Sequence, residues 1–250
     1  MPELAWQELL IIAIALAAGG TAKGLTGLGL PMVAVPVLAG FLGVERAVMI
    51  MIMPVLLLNI WLSWSLRDCR KDVPEMPRIL LPSLPGILLG AGILYFANER
   101  ILATGLAIWI LAYLIWRLFS PTMKLTGDAR RRVAPVVGFG AGAMQAATGI
   151  SAPVLVPFVD GLGLSSRGYV FTVATVFSML SGTHFIVMIL LQAYSLEQLA
   201  ESMMAVIPVI VFVPFGSKLR NVIEPEVFSR IIRVLMFIMA MRLIYGAWVP

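Results

Sequence analysis

The sequence contains few charged residues and almost none of the side chains that carry redox chemistry. Only 12% of its 250 residues are charged, and it contains one cysteine, Cys69, and one histidine, His184. A single cysteine excludes an internal disulfide and makes redox chemistry a poor explanation of function. We predict no catalytic residue, no metal and no cofactor.

What the chain has instead is apolar length. Hydrophobic residues make up 60% of it, and the mean hydropathy is +0.99. A helix of about 20 apolar residues crosses a hydrocarbon core of about 30 Å. Stretches of sufficient length lie at 46–66, 79–97, 101–119, 168–191 and 228–248, and two longer ones with internal breaks lie at 8–44 and 133–164. The composition predicts an integral membrane protein.

Carboxylates are absent from the middle of these apolar stretches. Glu45 and Asp160 lie only at segment ends. Intramembrane carboxylates commonly mark proton or cation pathways, so their absence argues against a carboxylate-based cation and proton exchanger. A site built from amides, hydroxyls and one or two cations indicates an anion.

Basic residues concentrate in the connections between apolar stretches, namely 67–78, 117–132 and 217–221. Cytoplasmic connections of membrane proteins are enriched in Lys and Arg, so we expect all three inside and expect no nucleic-acid partner. Connection 192–201 contains Glu197 and Glu201 but no basic residue, which predicts an outside position. If segments 8–44 and 133–164 each enter and return, both termini lie outside.

The two halves of the chain, 1–125 and 126–250, repeat one motif. Matching residues at an offset of 122 or 121 positions are Thr26 and Thr148, Gly27 and Gly149, Pro31 and Pro153, Pro36 and Pro157, Gly40 and Gly161, and Arg46 and Arg167. Five membrane elements per half, an odd number, make the second half inverted. We predict an all-α membrane domain of two inverted repeats, each a broken or re-entrant first segment followed by three transmembrane helices.

Glycine and proline interrupt the first segment of each half. Pieces 8–22 and 28–42 would each reach only about 22 Å as helices, and GGTAKGLTGLGLP between them disfavours continuous helix. The second half repeats the break around ATGISAP. Paired breaks at matching positions of inverted halves are typical of a transport site near the membrane midplane.

The residues around these breaks suit an anion. Pro31 and Pro153 fit the first turn of the returning helices, whose free amides and dipole favour negative charge. Thr26 and Thr148 would add hydroxyl donors, and two such ends converging would form an anion cage. Alternatively, the glycines permit close helix packing. The predicted substrate-binding residues are Lys23, Gly24, Thr26, Gly27, Gly29, Pro31, Asn59, Gln145, Thr148, Gly149, Ser151, Pro153, Ser178 and Ser181.

Cationic side chains near the breaks have two interpretations each. A buried ammonium at Lys23 is costly unless it faces a cavity or partner, so it is either an anion ligand or a lysine that snorkels to the cytoplasmic surface. Its repeat mate, Gln145, donates hydrogen bonds without charge. Arg46 and Arg167 occupy matching turns, where they serve anion attraction and gating or anchor lipid headgroups.

Other polar side chains lie on or opposite the 168–191 stretch. Asn59 matches Ser181 at the offset of 122, and Ser178 belongs to a small polar face. Hydroxyls on such a face either line a cavity or bond the carbonyls of their own helix. His184 lies beside Ser181, where a proton relay or gate, a substrate ligand and a structural hydrogen bond are all open.

On these motifs the chain resembles the sulfite exporter TauE/SafE family of bacterial membrane permeases, over essentially its whole length. The matching positions are Gly24, Thr26, Gly27, Gly29 and Pro31 in the first half, and Thr148, Gly149, Ser151 and Pro153 in the second. The resemblance implies an inner-membrane exporter or permease for sulfite, sulfoacetate or other organosulfur anions. Family members often carry two or three consecutive glycines where this chain has Gly29-Leu30 and Ser151-Ala152.

The predicted function is secondary transport, as an exporter, of a small anion such as sulfite or an organosulfonate. An anion leaving a cell that is negative inside gains about 2.3 kcal/mol per 100 mV, so export needs no other coupling, and proton coupling stays open. The alternatives are an anion channel and an intramembrane serine hydrolase that uses Ser151 and His184. The expected partners are a small anionic substrate and membrane lipid, and a homo-oligomer is compatible with the sequence.

Overall fold

The computed structural model describes residues 6–119, 127–219, 222 and 225–249. Helices account for most of these residues, and no strand occurs among them. The α-helices are α1 (Trp6–Thr26), α2 (Leu30–Leu42), α3 (Val44–Ser65), α4 (Met76–Phe96), α5 (Glu99–Phe119), α6 (Gly127–Thr148), α7 (Ala152–Gly161), α8 (Ser166–Leu190), α9 (Leu196–Met204), α10 (Val206–Leu219) and α11 (Pro225–Trp248). A 3₁₀ helix covers Arg67–Asp72. The all-α prediction is confirmed.

Six helical stretches of the described part are long and apolar enough to cross a membrane: α1, α3, α4, α5, α8 and the combined stretch Leu196–Leu219. By contrast, α2 and α7 are apolar helices of only 13 and 10 residues. The chain is therefore a multi-pass membrane protein. Of the predicted cytoplasmic connections, 120–126 and 220–221 lie outside the described residues, and residues 196–201, predicted as a connection, belong to helix α9.

The chain forms two compact units that do not coincide with its halves. Unit 1 comprises Met1–Pro54, Phe96–Phe119 and Ser195–Pro250, and unit 2 comprises Val55–Tyr95 and Ser120–Tyr194. Each unit combines helices from both halves, since α10 joins α1 in unit 1 and α4 joins α6 in unit 2. The boundaries of the compact units therefore differ from those of the predicted repeats 1–125 and 126–250. The inversion of the repeats stays a prediction.

In unit 1, α1 packs against α10 and α2 through glycines. A Cβ atom at Gly24 would overlap the carbonyl oxygen of Val213, and one at Gly19 would lie 2.8 Å from that of Leu30. The prediction that α1 stops near residue 22 is wrong, because these close contacts stabilise the helix through the glycines as far as Thr26. Packing outweighs the low helix propensity of glycine here.

In unit 2, α4 packs against α6 through two glycines from each helix. Added Cβ atoms would overlap backbone carbonyl oxygens of the facing helix at every one of the four positions, which are Gly86, Gly90, Gly138 and Gly142. Helices that meet this closely gain van der Waals contact that apolar lipid cannot reproduce. The same kind of backbone contact therefore holds the first helix of each half in place.

A hydroxyl from α9 supplies the backbone hydrogen bond that α3 lacks at its proline. Pro54 has no amide hydrogen, so the carbonyl of Ile50 lacks its usual partner four residues later. The Ser202 hydroxyl donates to this carbonyl at 2.9 Å and accepts from the Met53 amide at 3.1 Å. Because Ser202 is fully buried, its hydroxyl provides the Ile50 carbonyl with a hydrogen bond that lipid tails could not provide.

The glycine contact between α4 and α6 is testable with two glycines of α4. Gly86→Ala should destabilise the protein by about 1–3 kcal/mol through overpacking, because its Cβ would meet the Phe139 carbonyl. Gly92 has no atom within 4 Å of an added Cβ, so Gly92→Ala should stabilise by up to about 1 kcal/mol. Thermal unfolding midpoints in detergent measure both, and equal midpoints would contradict the packing argument.

Candidate functional site

The break in the first half is a three-residue turn between α1 and α2. Gly27 adopts a φ of +82°, and its amide donates to the Lys23 carbonyl at 2.8 Å. The hydroxyl of Thr26 donates to the Ala22 carbonyl at 2.8 Å and accepts from the Leu28 amide at 3.3 Å. These contacts close the end of α1 and reverse the chain into α2.

The break in the second half has the same hydrogen bonds. Gly149 adopts a φ of +71°, and its amide donates to the Gln145 carbonyl at 2.9 Å. The Thr148 hydroxyl donates to the Met144 carbonyl at 2.7 Å and accepts from the Ile150 amide at 3.2 Å. Each partner lies 122 positions after its equivalent in the first turn, so the sequence repeat is also a repeat of local structure.

These contacts assign the threonine hydroxyls a structural task. Each hydroxyl hydrogen is donated to a carbonyl of its own helix, so in this conformation neither Thr26 nor Thr148 directs a hydrogen outward. The glycines are needed for backbone reasons, because a φ near +80° is strained for residues with a Cβ atom. The turns are thus built from residues that the sequence indicated, and these residues have structural tasks there; their role in binding stays a prediction.

Both short helices begin without a side-chain cap. Gly29 and Ser151 occupy the N-cap positions of α2 and α7, and neither side chain accepts a hydrogen bond from the helix. By contrast, Ser165 caps α8 and Ser195 caps α9. The first amides of a helix have no acceptor inside it, and its N-terminus carries partial positive charge. Uncapped ends of this kind are suited to an anion.

The prolines lie where the sequence predicted them. Pro31 and Pro153 fall in the first turn of α2 and α7, where the missing amide hydrogen removes no helical hydrogen bond. Pro36 and Pro157 lie inside the same helices. The placement of the two short helices is confirmed, although only the second piece of each broken segment is short.

Lys23 and Gln145 occupy equivalent positions one turn before the breaks. Each is 6% exposed. The Ser151 hydroxyl donates to Gln145 Oε1 at 2.7 Å, which fixes the amide with its oxygen used and its NH₂ group available as a donor. Ser151 therefore acts through Gln145, whereas its equivalent in the first half, Gly29, has no side chain. The two turns have the same backbone conformation, but their nearby side-chain hydrogen-bond donors differ.

Several other predicted ligands have local roles. Gly24 lies in the contact between α1 and α10, and a Cβ at Gly29 would come 2.6 Å from that of Ala22, so the alternative of close packing applies to both. Asn59 Nδ2 donates to the Val55 carbonyl at 2.7 Å, and the Ser178 hydroxyl donates to the Ala174 carbonyl at 2.8 Å. These hydrogen bonds lie within their own helices.

Ser181 and His184 are the buried polar residues of α8 that lack such contacts. His184 is fully buried, Ser181 is 1% exposed, and neither the hydroxyl nor either ring nitrogen has a hydrogen-bond partner among the described residues. The pairing of Ser151 with His184 that a serine hydrolase would need is not formed in this structure, since Ser151 donates to Gln145.

Both predicted gating arginines form ion pairs with carboxylates. Each arginine pairs with an acid from the other half of the chain, and Arg46 also pairs with an acid of α1. In unit 1, Arg46 contacts Glu201 at 2.8 Å and Glu8 at 3.0 Å. In unit 2, Arg167 contacts Asp68 at 2.8 Å, with both side chains exposed. Sequence reasoning missed these three acids. The sequence offered one weak indication of two of these pairs. Glu201 and Asp68 each lie in the polar stretch that follows the third helix of the half opposite to their arginine.

The turn conformation is testable at Gly27, whose added Cβ would meet no atom within 4 Å. The cost of Gly27→Ala is therefore conformational alone, and we expect a loss of about 1–2 kcal/mol. Asparagine tolerates positive φ better than alanine, so Gly27→Asn should lose less. Unfolding midpoints of the two variants in detergent compare them, and an alanine variant as stable as the original protein would argue against a required left-handed residue.

The comparisons with known proteins agree with this architecture. The family model described as sulfite exporter TauE/SafE matches residues 11–243, which include both turns, helices α2 to α10 in full and most of α1 and α11. No curated protein and no solved structure matches the chain.

Proposed function

Because the chain belongs to the sulfite exporter TauE/SafE family, we propose that it exports a small anion, such as sulfite or an organosulfonate, across the inner membrane. Family membership makes the chain a membrane transporter and not an enzyme. The proposal includes the cargo, the site at the two turns and the outward direction of transport.

The observation that carries the proposal is the repeated uncapped helix end. Both turns lead into a short helix whose N-cap makes no side-chain hydrogen bond. No aspartate or glutamate occurs in residues 22–33 or 144–155, so nothing in either turn repels negative charge. Amide donors, a favourable dipole and the absence of carboxylates together favour an anion over a cation.

The lengths of α2 and α7 support a site within the membrane. At 1.5 Å per residue, 13 and 10 residues reach about 20 and 15 Å, against a hydrocarbon core of about 30 Å. A helix this short that begins at a membrane surface ends inside the core. We propose that both turns lie there, in two inverted repeats with the basic connections inside and both termini outside.

In each turn one buried polar side chain would contact the anion: Lys23 before the first break and Gln145 before the second. An ammonium inside a membrane protein commonly marks an ion or substrate pathway, and its charge suits an anionic cargo. Gln145, oriented by Ser151, offers neutral donors at the equivalent position of the second turn. An anion that leaves without a coupled ion carries negative charge outward, which an inside-negative potential favours.

Replacing Lys23 tests its role in binding. Lys23→Gln places in the first turn the residue that the second turn has at the equivalent position, so we expect a folded protein. A hydrogen bond to a charged group is worth about 1.5–3 kcal/mol, so the KM for sulfite or sulfoacetate flux in proteoliposomes should rise roughly 10- to 100-fold. The matched control is Lys218→Gln, which removes the same charge from an exposed position at the end of α10.

Each outcome bears on a different part of the proposal. Unchanged KM in Lys23→Gln would remove Lys23 from the site while leaving the transporter intact. Equal losses in both variants would assign the effect to general surface charge. A folded original protein that moves neither sulfite nor a sulfonate would contradict the proposed cargo class, and resolvable single-channel currents would indicate a channel.

A further inference from the structure

Three buried polar atoms on one face of α8 have no partner in the described part of the protein. They are the Ser181 hydroxyl oxygen and the two ring nitrogens of His184. The residues are three positions apart, so their side chains are neighbours on the helix surface. Both are at most 1% exposed. Native proteins rarely leave such atoms unpaired, and each case needs an explanation.

Burying the Ser181 hydroxyl and the His184 ring without partners costs free energy, because both stay polar in every protonation state. A neutral imidazole always carries one N–H donor and one acceptor nitrogen, and a membrane interior supplies no water to bond them. Phenylalanine or leucine would fill the same space at no such cost. A histidine in this setting is therefore explained best by a step in which its nitrogens gain a partner.

The elements around α8 supply few charges to this face. The C-terminal part of α3 approaches it, with Leu56 Cδ1 3.4 Å from an added Cβ at Gly182 and Ser63 2.7 Å from Thr175, and residues 55–65 contain no titratable side chain. Beyond His184, the Tyr194 ring packs on Phe185 at 5.4 Å.

The charged groups of the remaining neighbours lie at their ends or at the other end of α8. Arg167 is 17 positions before His184, or about 26 Å along the helix, and it pairs there with Asp68 of the 3₁₀ helix. The titratable residues of elements that contact α8 are Glu45 and Arg46 at the start of α3, Arg67, Asp68, Cys69, Arg70, Lys71 and Asp72 of the 3₁₀ helix, Asp128, Arg130, Arg131 and Arg132 at the start of α6, and Asp160 near the end of α7.

We propose that Ser181 and His184 form a proton-loading site and that the transported anion moves together with one proton. This inference rests on the proposed anion transport. A ring nitrogen uses its lone pair to take one proton from the side where the anion enters, and it returns the same proton on the side where the anion leaves. The Ser181 hydroxyl accepts an N–H of the imidazolium, directly or through one water. No covalent bond of the anion changes.

The two ions make each other's transfer less costly. An imidazolium in a low-dielectric interior is unfavourable alone, and so is an anion. When both enter, their charges offset each other. A singly charged anion then crosses without net charge, whereas a doubly charged oxyanion still carries one negative charge outward, so the membrane potential continues to favour its export.

Proteoliposomes that contain the full chain and an enclosed pH-sensitive dye test this proposal. Methanesulfonate is the probe, because its sulfonate binds no proton near neutral pH and any proton movement must involve the protein. With the voltage clamped at zero by potassium and valinomycin, downhill methanesulfonate flux should move protons in the same direction. A pH difference of one unit should accumulate the anion about tenfold, as one proton per anion requires.

Variants of α8 identify the residue. His184→Gln should lose all pH-driven accumulation and keep exchange of labelled for unlabelled methanesulfonate, which needs no net proton transfer. Ser181→Ala keeps the imidazole and should shift the pH dependence of flux without abolishing accumulation. Met188→Leu changes a fully buried, non-titratable residue one turn beyond His184, and it should leave both assays unchanged.

The outcomes separate the two proposals. Methanesulfonate flux without proton movement, or pH-driven accumulation that survives in His184→Gln, would overturn the proton-loading site and leave anion transport standing. Loss of exchange in both His184→Gln and His184→Asn would also overturn it, because it would assign the residue to anion transfer itself. If the folded original protein moves neither methanesulfonate nor sulfite, anion transport fails and the proton site fails with it.

Discussion

The structure depends on one constraint: inside a bilayer every backbone polar group must find its partner within the protein. Helical hydrogen bonding is interrupted at the two turns and, within the continuous helix α3, at Pro54. At each of these places a hydroxyl completes the hydrogen bonds. Thr26 and Thr148 close the ends of α1 and α6, and Ser202 donates to the carbonyl that Pro54 leaves unbonded. The N-termini of α2 and α7 lack such a hydroxyl cap, which is why we assign the anion to them.

Glycine serves this constraint in two ways that the sequence does not distinguish. Gly24 is required because the backbone of α10 passes against it, whereas Gly27 is required because its φ is positive. Both lie in the same stretch of seven residues around Lys23, and both read from sequence as helix breakers. The backbone that faces Gly24 belongs to α10, with Val213 nearly 190 positions away, and α1 continues past Gly24 against it. Local propensity therefore predicted the turn and misplaced its start.

The difference between local patterns and contacts of distant residues also explains which other features could be predicted. The all-α class, the two breaks and the position of Pro31 and Pro153 in first helical turns follow from apolar length and from proline chemistry, which are local. The pairing of Arg46 with Glu201 and the contact of Ser202 with α3 join residues about 150 positions apart, and no local pattern specifies them. Sequence could name candidate ligands but could not show that Asn59 and Ser178 bond their own helices.

The differences between the two turns bear most directly on mechanism. A duplicated backbone device with identical hydrogen bonds would bind an anion equally in both halves if the side chains also matched, yet the first turn has Lys23 where the second has Gln145 held by Ser151. The first turn therefore has a cationic side chain one helical turn before its break, and the second has a neutral amide. In the described part of unit 2, His184 on α8 is a buried group that can gain a positive charge. Under the proposed proton coupling, the anion is released when the proton leaves His184, because the attraction between the two charges weakens at that step. We therefore propose that the two halves contribute differently on a common backbone, the first through the charge of Lys23 and the second through the neutral amide of Gln145 and the proton of His184.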